Sequence, residues 1–170
     1  MSGVTVSSDG IVTGNTYDKY GSTNPVVRRL MGGFERTLDE LFELAAPGSV
    51  LDVGCGEGVL VHRWAERLPF AENEFDLASA IEVLEHLPDP ERTIGEMARC
   101  ARRHLLVSVP REPLWRMLNM ARGAYWSALG NTPGHLNHWS RRSFVKLLAR
   151  HGEVVEVRSP FPWTMLLVRL

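Results

Sequence analysis

Residues Val50 to Gly58 read VLDVGCGEG, a short apolar run ending in three alternating glycines, Gly54, Gly56 and Gly58. Glycine reaches backbone conformations closed to other residues, and it lets backbone amides approach a ligand where a β-carbon would collide. The following stretch, VLVHRWAERL, places Leu60, Trp64 and Leu68 at helical spacing. A strand, a tight turn and a helix in immediate succession constrain the chain towards a parallel α/β sheet. Two nucleotide-binding alternatives are disfavoured. A G-x-G-x-x-G fingerprint needs its last glycine where Val59 stands, and a P-loop needs a lysine that does not follow these glycines.

The rest of the chain supports alternating elements. Met1 to Asn15 lacks helical or strand periodicity and reads as a mobile lead-in, so a single domain is expected over 16–170. From Pro25, Val26, Leu30, Phe34, Leu38, Leu41 and Phe42 recur at helical spacing, with a break expected at Gly32 and Gly33 and a stop at Ala46, Pro47 and Gly48. FDLASA is a second strand, and Asp89 and Pro90 suit the N-cap and first position of a helix through ERTIGEMARCARR. The basic residues Arg99, Arg102, Arg103 and His104 then close that helix against the negative end of its dipole, ahead of a third strand, HLLVSVP. Ser140 caps a further helix stopped by Gly152, and EVVEVRS and WTMLLVRL form two closing strands separated by Pro160 and Pro162.

Charge and cysteine content narrow the partners. With 19 basic and 20 acidic residues among 170, the net charge of -1 creates no global field for nucleic acid or an anionic membrane. No run approaches the roughly 18 apolar residues of a membrane span. Cys55 and Cys100 stand in neither a Cys-x-x-Cys nor a zinc spacing, so no metal is expected and a reducing, cytoplasmic setting fits best.

The stretch Val50 to Gly58 resembles the first motif of the class I S-adenosylmethionine-dependent methyltransferases, which has the form V-L-D-V-G-C-G-x-G. A second block, Leu68-Pro69-Phe70 through Phe75-Asp76 to Leu84-Glu85-His86-Leu87, is similar to the segment around that family's fourth strand. The resemblance implies an α/β, Rossmann-like fold with a mostly parallel sheet. It also implies S-adenosylmethionine as cofactor and S-adenosylhomocysteine as product. The Gly54 to Gly58 backbone, including Cys55 and Gly56, would pass under the methionine part of the cofactor, Asp52 would fix the turn and the ligand's polar end, and the loop Ala80 to Glu82, with Ile81 and Glu82, would face the cofactor. Tyr17, within Tyr17-Asp18-Lys19-Tyr20, would close over the cofactor. His86 would border the substrate, as would the segment His135 to Ser140 near the substrate entrance.

The family's second strand, following helix and third strand have no room here. Asp52 and Asp76 are separated by a single expected helix, whereas a βαβ crossover takes about 30 residues. The fold is therefore expected to be shortened by an internal deletion, with the first strand an uncovered edge where a second copy could pair. The acidic residue that accepts the ribose hydroxyls goes with the deletion. Glu57, Glu66, Glu72 and Glu74 lie nearby, and no spacing selects one as its replacement.

The expected function is methyl transfer to a small-molecule acceptor. Leu114 to Leu129, rich in aromatic residues, suggests a pocket for a partly apolar acceptor or a helix simply packed on the sheet. His86, His135 and His138 are the candidates for a general base, since imidazole titrates near neutral pH; His86 and His135 are preferred. Two alternatives stay open: a non-catalytic module binding cofactor weakly or not at all, and an incomplete version of a longer enzyme.

Overall fold

The computed structural model of the chain describes residues 23–54 and 68–170. The expected lead-in over 1–15, Tyr17, and Cys55, Gly56 and Gly58 of the glycine turn lie outside the described residues, as does most of the helix expected after them.

Helix α1 spans Pro25–Ala45 and opens on Asn24, whose side chain accepts from the Val26 N–H. The expected break at Gly32 and Gly33 does not occur. Met31, Phe34, Leu41 and Ala45 bury one stripe of α1 against the sheet, and that burial outweighs a propensity cost of about 1 kcal/mol per glycine. Strand β1, Val50–Asp52, and strand β2, Phe75–Ile81, then pair in parallel, with Asp52 opposite Ser79. A short 3-10 turn at Leu84–His86 leads to helix α2, Pro90–Cys100, capped by the Asp89 carboxylate as expected.

Strand β3, Ala101–Pro110, begins directly at the end of α2, which corrects the reading of the basic cluster. Arg102, Arg103 and His104 belong to the strand, where Ala101 pairs with Phe75 and His104 with Leu77. Arg102 forms an ion pair with Asp76 at 2.6 Å, and Arg103 donates to the Ala46 carbonyl. Arg99 alone remains helical, and it donates to the carbonyls of Leu68 and Phe70 as well as to Glu96. Strand pairing and specific acceptors, rather than a helix dipole, place these charges.

Helix α3, Leu114–Ala121, and helix α4, Arg141–Leu148, follow, and Ser140 caps α4. Strand β4, Glu153–Arg158, and strand β5, Trp163–Arg169, close the sheet. The order is β1-β2-β3-β5-β4, and only β5 runs against the others. The mostly parallel sheet is thus as expected. Strand β1 forms its edge, with β2 as its only partner among the described residues.

Alternation along the strands divides the core. Ala78 and Ala80, Leu105 and Val107, and Leu166 and Val168 face α2 and α4. Leu77, Leu106, Met165 and Leu167 face α1. Asp52, Ser79 and Ser108 share the α1 face by the same alternation, near the carboxyl ends of the parallel strands where open α/β sheets bind ligands. No helix among the described residues is long and apolar enough to cross a membrane.

Candidate functional site

Two groups of residues stand at the carboxyl ends of β1, β2 and β3. The first surrounds Asp52, which is exposed at the end of the edge strand. The Ser79 hydroxyl donates to Asp52 Oδ1 at 2.7 Å across the β1-β2 pair, and Val53 N donates to Ser79 O at 2.8 Å. These bonds fix the carboxylate where the chain turns away from the sheet.

The turn begins at Gly54, whose φ of 97° lies in the region that favours glycine, and a β-carbon there would lie 2.5 Å from Val83 Cγ2. A cavity of about 450 Å³ opens beside this turn. Leu38 and Phe42 of α1 wall one side; Ile81, Leu106 and Val50 supply further apolar surface, and Asp52 and Ser79 are its polar side chains. That volume falls in the roughly 300–1,000 Å³ range of small-molecule sites, and an apolar lining with few fixed polar groups is their usual character.

Glu82 follows Ile81 and joins this group to the next strand. Its φ of 58° is unusual for a residue with a β-carbon. Glu82 N and Oε1 both bond the Ser108 side chain, at 3.1 and 3.0 Å, while Oε2 accepts from Trp163 Nε1 at 2.7 Å. The carboxylate therefore ties the end of β2 to β3 and β5.

The second group comprises Glu85, His86 and His135. Glu85 and His135 are buried, whereas the His86 side chain is 42% exposed. The two imidazoles meet edge to face with centroids 4.8 Å apart, and His86 Nε2 lies 3.9 Å from Glu85 Oε1. His86 Nδ1 is 3.0 Å from the Gly134 carbonyl oxygen. A carbonyl only accepts, so Nδ1 carries the proton in that bond and Nε2 of the neutral ring keeps its lone pair. The His135 ring stacks on Trp115 at 6.2 Å, and Trp115 meets Trp163, itself edge-on to Phe34. A file of aromatic rings thus runs from α1 to the 3-10 turn.

The loop carrying His135 is fastened to that turn by its backbone. Leu136 N and Asn137 N both donate to Glu85 O, at 2.8 and 3.0 Å. The Asn137 amide donates to Leu87 O at 2.6 Å and to Leu84 O at 3.3 Å. His138 stands apart, with Nε2 on Asn131 Oδ1 at 2.6 Å.

Of the residues expected at the site, Asp52, Gly54 and Ile81 share the cavity, Glu82 is turned into the Ser108 and Trp163 bonds, and His86 and His135 lie together. Sequence reasoning missed Ser79, Ser108, Trp115, Trp163 and the role of Glu85. A usable signal existed for two of these, since Ser79 and Ser108 are hydroxyls within otherwise apolar strands.

A family model described as a methyltransferase domain matches residues 26–156. No curated protein matches the sequence. Among solved structures, magnesium protoporphyrin IX methyltransferase from Synechocystis PCC 6803 with bound SAH is similar with a TM-score of 0.59 at 17% identity, over 88% of this chain and 89% of that one. A SAM-dependent methyltransferase from Aquifex aeolicus is similar with a TM-score of 0.55 at 14% identity, over 86% of this chain and 93% of that one. At such identities the likeness is one of fold.

Proposed function

The chain belongs to the methyltransferase-domain family, and from that premise we propose that it transfers a methyl group from S-adenosylmethionine to a small-molecule acceptor, leaving S-adenosylhomocysteine. The observation that carries this reading is the Asp52 carboxylate, held by Ser79 at a glycine turn that opens on a ligand-sized cavity. An ionised carboxylate accepts hydrogen bonds only, which suits the ammonium of the cofactor's methionine part. Gly54 and Ile81 supply close backbone and apolar surface beside it; in this reading Cys55, Gly56, Gly58 and Tyr17, which lie outside the described residues, also serve the cofactor. Glu82 serves by fixing the end of β2.

When bound, the cofactor supplies an electrophilic methyl group on a sulfonium sulfur. The protein's share is mainly positioning, because holding nucleophile and methyl carbon about 3 to 3.5 Å apart provides much of the acceleration. On the acceptor side, His86 presents the Nε2 lone pair to assist loss of an acceptor proton, and His135 orients that ring edge-on. Exposed Met117, Trp126 and Leu129 favour a partly apolar acceptor. Cys100 is a buried thiol, in keeping with a cytoplasmic setting.

One observation favours the alternative of a module that binds cofactor weakly or not at all. Among the described residues lining the cavity, Asp52 is the only acidic one. The described lining thus offers the ribose hydroxyls no second charged acceptor, whose hydrogen bonds are worth roughly 1.5–3 kcal/mol each. Calorimetric titration with S-adenosylmethionine and S-adenosylhomocysteine separates the readings. Saturable micromolar binding of both is expected of the enzyme, and folded protein that binds neither would overturn that reading.

A further inference from the structure

We infer that Glu85, His86 and His135 form a binding site for a divalent transition-metal cation. One oxygen of Glu85 and one nitrogen from each imidazole lie within 4.8 Å of one another. The carboxylate comes from a residue only 2% exposed and the second imidazole from one 8% exposed, which sets this group apart from a solvated acidic cluster.

The arrangement has the features of a ligand set beyond proximity. His86 Nδ1 donates to the Gly134 carbonyl at 3.0 Å, the outer bond that fixes the tautomer and aims the opposite nitrogen of a metal-binding histidine. Nε2, so aimed, lies 3.9 Å from Glu85 Oε1. Two donors at about 2.1 Å from a tetrahedral ion sit roughly 3.4 Å apart, so a cation draws His86 Nε2 and Glu85 Oε1 together by about 0.5 Å, and a pair at the 4.8 Å limit by up to about 1.4 Å, within reach of side-chain rotation.

The spacing does not depend on the ion. Leu136 N and Asn137 N clamp the His135 loop onto Glu85 O, and Trp115 stacks on the His135 ring while its Nε1 donates to Thr132 Oγ1 at 2.9 Å. Two segments some 50 residues apart are thereby held with their donors converging, the preorganisation a metal site requires.

Two imidazoles and one carboxylate suit zinc, manganese, iron or cobalt better than calcium or magnesium, which favour oxygen donors. Three protein ligands with one partly exposed leave a coordination position open, as catalytic rather than structural zinc sites do. The binding stands on these side chains alone; its catalytic meaning rests on the methyl-transfer reading. In that reading His86 Nε2 is the base when the cation is absent; with the cation bound it would serve as a ligand, and the cation would ease loss of a proton from an acceptor hydroxyl at the open position.

The test is titration of metal-stripped full-length protein with Zn²⁺ by calorimetry and with Co²⁺ by absorption spectroscopy, alongside Glu85→Gln and His135→Gln checked for folding by circular dichroism. One equivalent should bind, each substitution should weaken binding at least tenfold, and the cobalt spectrum should lack a thiolate charge-transfer band. S-adenosylhomocysteine affinity should be the same in both variants as in the parent. Absence of saturable binding to folded protein, a thiolate band, or affinity unmoved by either substitution would overturn the site. Metal binding without any cofactor binding would uphold the site and remove only its catalytic meaning.

Discussion

At the Asp52 end of the site a single exposed carboxylate on an edge strand is braced by one hydroxyl, beside a cavity walled by apolar side chains. At the Glu85 end three ionisable side chains are packed together and their loop is fastened by four hydrogen bonds. The first end is shaped by backbone, and its polar side chains can change without much disturbing the core. The second is shaped by side chains from distant segments, so chemistry and packing are harder to separate there. This contrast suits a division of labour in which one end holds the cofactor and the other treats the acceptor.

The sharpest way to break the comparison is at His86. His86→Gln should lower turnover by about 10²–10⁴, the usual contribution of a positioned proton-transfer group, with S-adenosylhomocysteine affinity unchanged. Steady-state kinetics with calorimetry checks this, and a matching loss of cofactor affinity would merge the two ends into one. Asp52→Asn should do the reverse, weakening cofactor binding by roughly 1.5–3 kcal/mol, or about tenfold to a hundredfold, with little effect on thermal stability because the side chain is exposed.

Gly54→Ala tests whether backbone shape governs the first end. A residue with a β-carbon at φ 97° costs about 1–3 kcal/mol, and the contact with Val83 adds to that. Chemical denaturation should show a loss of that order, together with weaker cofactor binding.

The smallest expected effect lies away from both ends, at Asp76. Its hydrogen bond from the Arg102 guanidinium, and next that from Gly48 N, hold its carboxyl below the ordinary 3.8. Because the folded value is depressed, the contribution to stability is present above about pH 4 and is lost as pH falls through the lower folded value. Asp76→Asn should therefore flatten the acid limb of a stability profile and leave cofactor affinity at neutral pH alone.

Much of the fold could be read from local pattern. Apolar spacing marked α1, β2 and the closing strands, and Asp89, Pro90 and Ser140 marked helix starts, because caps and periodicity act over a few residues. The error at Arg102 and Arg103 has the opposite origin. Their local preference is helical, and pairing of Ala101 with Phe75 and of Arg102 with Asp76, about 26 residues away, decides otherwise. The site divides in the same way. Asp52 and Gly54 stood in one contiguous motif, whereas Ser79 on Asp52, Trp163 on Glu82 and His135 on His86 are meetings of residues 27 to 81 positions apart.

The most direct measurement is the S-adenosylhomocysteine dissociation constant of the parent protein, Asp52→Asn and His86→Gln, determined side by side by calorimetry. Weakening of tenfold or more in Asp52→Asn with an unchanged value in His86→Gln is the predicted result. Equal affinity in all three, or loss confined to His86→Gln, would contradict the assignment of the cofactor to the Asp52 cavity.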